Sequence, residues 1–247
     1  SLMTGRISVA GNLYSYETSY GSTKTAGFIL SGSGTQHVYA ASGADWTTDT
    51  FFVNKSTGKV VLHNDMNLKG PFKITSGVFD MGNSSVSTTG GMVIESSGRL
   101  VNTGTGDLVL SGNVTNNGSV YMNSFGGGAG DGDSIWIRSS VAGTPRVATG
   151  LSATWKLIDV NLKDITAGAG ATDSIFVYSG TNTSGNTRCG FREGGIVPYS
   201  IGINSGSLFS TGTVSQNATF DTLTFSSALP NNVGEGDKII LDFDNNG

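Results

Sequence analysis

The sequence predicts an all-β fold, a parallel β-helix (solenoid) with about 20 residues per coil and three short strands per coil. Short runs of β-branched or aromatic residues alternate with Gly, Ser, Asn and Thr, and apolar residues at helical spacing are lacking. A pair of small polar residues, a glycine and a strand recur together, and the glycines of this repeat are 19, 21 and 20 residues apart: Gly58, Gly77, Gly98 and Gly118. Within one repeat, apolar centres follow each other about every seven residues: Phe79, Val86, Val93 and Leu100.

The period of about 20 residues has a direct physical interpretation. Strands of roughly three to five residues, joined by tight corners, close one coil of a triangular solenoid, and each strand pairs in parallel with its counterpart about 4.8 Å along the axis. The corners require residues that tolerate positive φ, and Gly and Asn are those residues. An antiparallel sandwich is the alternative, but it needs turns about every 8–12 residues and no period near 20.

The repeat also predicts which side chains face inward, because positions two apart along a strand point to the same side. The second residue after each repeat glycine is apolar, and the first is mostly polar. We therefore expect an inward column along the solenoid axis and an outward row beside it. The inward column comprises Val60, Phe79, Leu100 and Val120, and the outward row comprises Lys59, Arg99 and Ser119.

The regularity of this pattern changes along the chain. Residues 1–27 are less regular and are predicted to form an N-terminal cap or irregular segment, whereas residues 28–124 form the regular coils. Residues 125–133 interrupt the pattern as a Gly-rich loop, and residues 134–247 are predicted to contain further coils with a C-terminal linker. Ser1-Leu2 ahead of Met3 indicates a fragment of a larger protein.

Composition excludes several classes of function. Charged residues are 13% of the chain and the formal net charge is −4, so no basic surface points to nucleic acid. No apolar run reaches the length of about 18 residues that a membrane span needs, so we expect no span in this fragment. Cys189 is the single cysteine, which excludes an internal disulfide framework.

Residues 32–81 contain Gly-Ser-Gly-Thr-Gln-His-Val, Asp-Trp-Thr-Thr-Asp-Thr-Phe-Phe-Val and Leu-Lys-Gly-Pro-Phe-Lys-Ile-Thr-Ser-Gly-Val-Phe-Asp-Met. Together with the Asn-rich stretch at 181–187 and the linker-like stretch at 230–237, they resemble the adhesin-like right-handed parallel β-helix repeats of large bacterial cell-surface proteins. The resemblance implies an exported, multi-module parent at an extracellular or cell-surface location. The partners it implies are other modules of the same polypeptide, surface glycans, and host or neighbour-cell proteins, and it implies no catalytic residues.

Few residues are arranged for catalysis. His37 and His63 have no second metal ligand nearby in the sequence, and we interpret them as histidines on strand faces. A polysaccharide-cleaving β-helix needs a pair of carboxylates flanking the scissile bond. The candidate carboxylates do not recur at one offset from the repeat glycine: Asp80, Glu95, Asp107, Asp159 and Asp164. We therefore predict no enzymatic activity, and a polysaccharide lyase or hydrolase is the alternative.

Calcium and glycans are the two ligands for which the sequence offers candidate residues. Asp242 and Asp244 match the start of an Asp-x-Asp-x-Asn-Gly loop, and Asp131 and Asp133 lie in the Gly-rich loop, so both pairs are calcium candidates. No other cofactor is expected. Three tryptophans are candidates for stacking on sugars, although a tryptophan on a strand more often belongs to the core: Trp46, Trp136 and Trp155.

These observations favour a non-enzymatic extracellular or cell-surface module with a structural or adhesive role. A solenoid gains length by adding coils and presents flat ladder faces for contact. The alternative hypothesis is a polysaccharide-active or glycan-binding β-helix protein.

Overall fold

A computed structural model describes residues 4–15, 25–41, 45–46, 50–124, 134–150, 155–168, 175–178, 180–192, 214–216 and 223–225. The described residues form strands and turns, and the parallel strands stack as a β-solenoid of about 7 turns, roughly 21 residues apart. The predicted fold class is therefore confirmed. Within the described part of the chain, no helix has the length and apolar character needed to cross a membrane.

The parallel strands of the described residues lie on three faces. The first face contains β1 (Thr4–Val9), β3 (Thr25–Leu30), the starts of β6 (Phe51–Leu62), β8 (Phe72–Asp80) and β10 (Met92–Asn102), then β12 (Val114–Asn116), β15 (Arg146–Thr149) and β18 (Ile165–Ala167). The second face contains β2 (Leu13–Tyr14), β4 (Gln36–Tyr39), the ends of β6, β8 and β10, then β13 (Ser119–Asn123), β16 (Trp155–Ile158), β19 (Ile175–Tyr178) and β21 (Cys189–Arg192). The third face contains β5 (Asp45–Trp46), β7 (Met66–Leu68), β9 (Val86–Thr88), β11 (Leu108–Leu110), β14 (Ile135–Ser139), β17 (Val160–Lys163) and β20 (Asn182–Ser184).

The predicted inward column is confirmed. Val60 pairs with Phe79, Phe79 pairs with Leu100, and Leu100 pairs with Val120 in consecutive parallel strands. Each of the four side chains is at most 1% exposed. The residues one position earlier pair in the same register and face outward: Lys59, Val78, Arg99 and Ser119. Lys59 is exposed and the other three are half-buried.

Aromatic rings fill the core of the turns before and beside this column. Phe28 and Phe51 each meet Trp46 edge to face, at centroid distances of 5.6 and 5.8 Å. Phe72 continues the cluster, with its ring 5.9 Å from Phe51 and 4.9 Å from Phe79. Edge-to-face packing is the arrangement that the ring quadrupole favours, so these rings stabilise the core beyond their buried area.

The corner between the first and second faces depends on glycine. Gly58 and Gly77 have φ values of +73° and +80°, which L side chains rarely adopt. A Cβ at Gly77 would also lie 2.8 Å from the Cβ of Lys55 in the preceding turn. Gly98 and Gly118 lack this positive φ, but a Cβ there would overlap the Ile74 carbonyl oxygen and the Gly98 carbonyl oxygen, respectively. All four repeat glycines therefore mark places where neighbouring turns come close.

The corner before the third face is held by hydrogen bonds that run along the stack. The backbone N–H of Ser85 donates to Asp65 Oδ1 at 2.7 Å, and that of Asp107 donates to the Ser85 hydroxyl at 3.0 Å. Trp136 continues the series by donating its backbone N–H to Asp107 Oδ1 at 3.1 Å. Short polar side chains at this corner thus satisfy backbone donors that the strands leave unpaired.

Strand pairing can be followed into both ends of the chain. Residues 4–9, inside the segment predicted as a cap, form a strand that pairs in parallel with Thr25–Leu30. Parallel pairing continues to Arg192, and residues 195–247 form a separate compact unit. In that unit the described strands, β22 (Val214–Gln216) and β23 (Leu223–Phe225), pair antiparallel. The Gly-rich loop at 125–133 lies outside the described residues.

Candidate functional site

A column of stacked rings covers the outer side of the second face in the first turns. Tyr14 pairs in register with Tyr39, and their rings are parallel, with centroids 4.8 Å apart and an interplanar angle of 1°. His63 stacks on the other side of Tyr39 at 4.3 Å and 5°. The ring spacing follows the distance between neighbouring parallel strands, so the solenoid itself sets this stack.

The second histidine joins the same cluster. Nδ1 of His37 lies 2.7 Å from Nε2 of His63, so one ring donates a hydrogen bond and the other accepts it. Asn12 connects the cluster to the first turn, because its Oδ1 accepts from the backbone N–H of His37 at 2.9 Å. We call these four rings the ring cluster: Tyr14, Tyr39, His37 and His63.

The sequence predicts two separate histidines on strand faces and does not predict the ring cluster. The spacing of these residues in the sequence could have indicated the cluster, because Tyr14, Tyr39 and His63 follow each other at intervals of 25 and 24 residues. These steps exceed the repeat length of about 20 residues, because the first turns carry longer corners. The visible repeat begins at Gly58 and therefore does not fix the register of the preceding turns.

A second outward surface lies on the second face of later turns. Arg99 places its guanidinium 5.7 Å from the ring centroid of Tyr121, and Tyr121 pairs in register with Lys156. Phe176 follows in the next turn, and its ring lies against Gly190. A Cβ added at Gly190 would lie 2.6 Å from Cδ1 of that ring. We call this surface the basic aromatic strip: Arg99, Tyr121, Lys156 and Phe176. Its alternating cations and rings suit acidic or sugar-containing ligands.

A polar cluster lies inside the solenoid beneath the ring cluster. Lys55 is 1% exposed, and its Nζ donates to Gln36 Oε1 at 2.7 Å and to the Ser31 carbonyl at 3.3 Å. Gln36 in turn donates from Nε2 to the carbonyls of Val9 and Gly11 at 2.8 and 2.7 Å. Burial lowers the pKa of Lys55 because it disfavours the charged amine. Since the amine is enclosed, this cluster links the first turns and offers no surface for a substrate.

Three of the candidate carboxylates form ion pairs with basic residues. Asp80 lies 2.8 Å from Lys59 Nζ, and Glu95 lies 2.7 Å from Lys73 Nζ. The hydrogen bond and charge of Lys73 lower the pKa of Glu95. Asp107 lies 3.7 Å from Arg138 Nε, and its pKa is raised because burial outweighs the donors around it.

The two remaining candidate carboxylates are buried at corners. Asp159 and Asp164 have φ values of +54° and +56° and are 2% and 3% exposed. The hydroxyls of Ser124 and Ser134 donate to the carboxylate of Asp159. Gly143 donates its backbone N–H to Asp164 Oδ2 at 3.0 Å. These carboxylates hold turns together, which is a structural role that their spacing in the sequence did not reveal.

The predicted tryptophan and aspartate candidates fall into distinct environments. Trp46 and Trp155 are 0% and 4% exposed, so both rings belong to the core and present no face on which a sugar can stack. Trp136 points outward from β14 and is half-buried. The calcium candidates lie outside the described residues: Asp131, Asp133, Asp242 and Asp244. Where the structure describes the chain, no three or more His, Cys, Asp or Glu residues group as metal ligands.

No family model matches the chain, and no curated protein and no solved structure matches it. The class of protein is therefore defined by its own geometry, a parallel β-solenoid with ring-bearing outer surfaces on its second face. Function has to be argued from these surfaces, because a fold alone does not specify one.

Proposed function

We propose that this chain is a non-enzymatic structural or adhesive module of an extracellular or cell-surface protein, and that it belongs to a larger exported polypeptide. The basic aromatic strip is the observation that carries the proposal. It places an outward cation or ring on each of four successive turns at the strand spacing, which suits an extended ligand such as a surface glycan. A protein of a host or neighbouring cell is the other partner considered, and further modules of the same polypeptide adjoin the chain.

An adhesin-like assignment of the right-handed β-helix type is part of this proposal. The solenoid with Gly-rich corners supports it, together with the resemblance of residues 32–81. An adhesive surface needs accessible groups on a rigid support. The residues of the strip extend from paired parallel strands, with Lys156 exposed and Arg99, Tyr121 and Phe176 half-buried.

A non-enzymatic role is supported by the state of the carboxylates. Glycosidic cleavage needs two carboxyl groups about 5–9.5 Å apart that flank the bond. Asp80, Glu95 and Asp107 each pair with a different basic residue, and Asp159 and Asp164 are enclosed at corners. The second candidate function, a glycan-binding or polysaccharide-active protein, is favoured by the cations and rings of the strip.

Binding and turnover distinguish these functions. The intact chain is tested on a panel of acidic and neutral glycans and on bacterial and host cell surfaces. A double substitution in the strip, Tyr121→Ala with Lys156→Gln, is expected to weaken binding about tenfold or more, because ring stacking and a cation are both removed. Lys163→Gln, on the outer side of the third face, is the matched control and should leave binding unchanged.

Three results would count against the proposal. Binding that survives the double substitution would remove the strip from the site. A chain that binds no cell surface and no glycan would contradict the adhesive role. Cleavage of a polysaccharide that disappears with Asp107→Asn would establish the enzymatic alternative.

A further inference from the structure

The histidine pair in the ring cluster has the chemistry of a metal site. Both histidines of the chain meet there, although 26 positions separate them in the sequence. His37 extends outward from β4 and His63 follows the end of β6, in neighbouring turns. His63 is exposed and His37 is half-buried, so an ion in solution reaches the pair directly.

The surroundings hold the two rings close together before any ligand arrives. His63 is stacked on Tyr39 at 4.3 Å with an interplanar angle of 5°, which sets the plane of its imidazole. The backbone of His37 is held by Asn12 and by parallel pairing with Val61. Ligands on paired strands lose little freedom on binding, and this preorganisation favours affinity.

We propose that His37 Nδ1 and His63 Nε2 bind one divalent transition-metal ion, with Cu²⁺ as the preferred ion. Imidazole nitrogens suit copper, nickel and zinc, whereas calcium and magnesium require oxygen ligands. No carboxylate takes part in the described contacts of the two imidazoles. The site is therefore distinct in chemistry from the aspartate pairs predicted to hold calcium. It also does not depend on an adhesive role of the chain.

The general order of divalent affinities favours copper over zinc at a site made of imidazole nitrogens. The facing nitrogens are 2.7 Å apart and the ring centroids 5.0 Å apart, so the two nitrogens point at each other along their hydrogen bond. Both rings therefore have to turn before their lone pairs converge on one ion, and the hydrogen bond is replaced by two metal–nitrogen bonds.

Proton balance is simple at this site. In the hydrogen-bonded pair, one of the two facing nitrogens carries a proton. When the metal binds, that ring moves its proton to its other nitrogen by exchange with water, so two neutral rings release no net proton. Two neutral ligands leave the ion its full charge, and water completes the coordination.

Calorimetric titration of the untagged chain with Cu²⁺, in a buffer that does not bind metals, tests the proposal. We expect one ion per chain, weaker binding of Zn²⁺, and nitrogen couplings from two imidazoles in the electron paramagnetic resonance spectrum. His37→Gln and His63→Gln should each weaken Cu²⁺ binding about tenfold or more, because each removes one of two ligands. His63→Phe keeps a ring against Tyr39 but has no nitrogen, so it should keep the melting temperature of the metal-free protein and lose binding.

The controls separate this site from other ligands. Cys189 is the single thiol of the chain, but burial raises its pKa to about 11, so it stays protonated at neutral pH. Cys189→Ser and the double substitution Asp131→Asn with Asp133→Asn should therefore leave Cu²⁺ affinity unchanged. Absence of Cu²⁺ binding, or binding that is equally strong in both histidine variants, would overturn the proposal.

Discussion

The interior of the solenoid changes character between its first and its middle turns. In the middle turns, from Val60 to Val120, the inward column of the second face is apolar and almost fully enclosed. One turn before Val60, the same column holds Gln36, whose side chain binds the amine of Lys55. The strands pair in parallel in both regions, so the backbone ladder does not require an apolar interior. It requires only that each buried polar group has a partner.

The two interiors stabilise the stack in different ways. Apolar side chains in the middle turns gain free energy from burial in proportion to the area removed from water. The polar cluster of the first turns consists of four hydrogen bonds around Gln36 and Lys55, and it offsets the desolvation of a buried amine. The first turns should therefore be sensitive to the loss of a single partner, and the middle turns to the loss of volume.

Truncation in the apolar column should have the largest effect. Leu100→Ala is expected to lower the free energy of unfolding by about 2–5 kcal/mol, because it removes a fully buried side chain and leaves a cavity. Arg99→Ala, one position earlier on the outer side, should change it by about 0.5 kcal/mol or less. Chemical denaturation of both variants measures the contrast, and equal effects would contradict the inward register.

Removal of one partner from the polar cluster should have the next largest effect. Gln36→Leu leaves the Lys55 amine with the Ser31 carbonyl, and we expect a loss of about 1–3 kcal/mol. The double variant Gln36→Leu with Lys55→Met replaces both polar groups and should recover most of that loss. If the double variant were less stable than Gln36→Leu, the hydrogen bonds of the cluster would contribute net free energy of folding rather than only offset the burial of two polar groups.

The amine of Lys55 should also make stability depend on pH. Because burial lowers its pKa in the folded chain below 10.5, the unfolded chain binds more protons between the folded pKa and 10.5. Stability contributed by this residue therefore rises as the pH increases through that window. The difference in unfolding free energy between the wild type and Lys55→Met should shift in favour of the wild type at higher pH. A difference that stays constant would show that Lys55 titrates as it does in water.

Calcium should have the smallest effect. Asp131 with Asp133 and Asp242 with Asp244 provide few ligands each, so millimolar calcium should raise the melting temperature little. Differential scanning calorimetry with and without calcium measures this directly. A large increase that disappears when Asp131 and Asp133 are changed to Asn would establish a calcium site there.

The register of the middle turns was predictable because three kinds of signal coincide there. The repeat glycines set the corners, the residues two positions later set the inward column, and the spacing of about 20 residues sets the pairing partner. In the first turns and after residue 124, the corners differ in length. Register there depends on which strands meet, and local sequence does not report that.

The candidate sites show the same limit to what local sequence predicts. The ring cluster was missed because His37 and His63 become neighbours through steps longer than the repeat. Asp159 and Asp164 were weighed as catalytic carboxylates, but their left-handed backbone conformation and burial give them roles at corners. Trp46 and Trp155 were weighed as sugar platforms, and the core encloses them. Alternation along a strand predicts a side, but only the packed turns decide how much of a ring remains in contact with water.

The sequence by itself determined that this chain forms parallel β-coils and which residues of the middle turns face inward, because strand periodicity and glycine corners are local properties. The tertiary structure decided which residues of different turns meet. It stacked Tyr14, Tyr39 and His63 with His37 beside them, and it placed the amine of Lys55 against Gln36 in the interior. The physical reason is that contacts between turns depend on the summed length of every strand and corner between them. Leu100 pairs with Val120 after 20 residues and Val120 pairs with Trp155 after 35, so turns of very different length keep one inward column and only the folded turns show which residues meet.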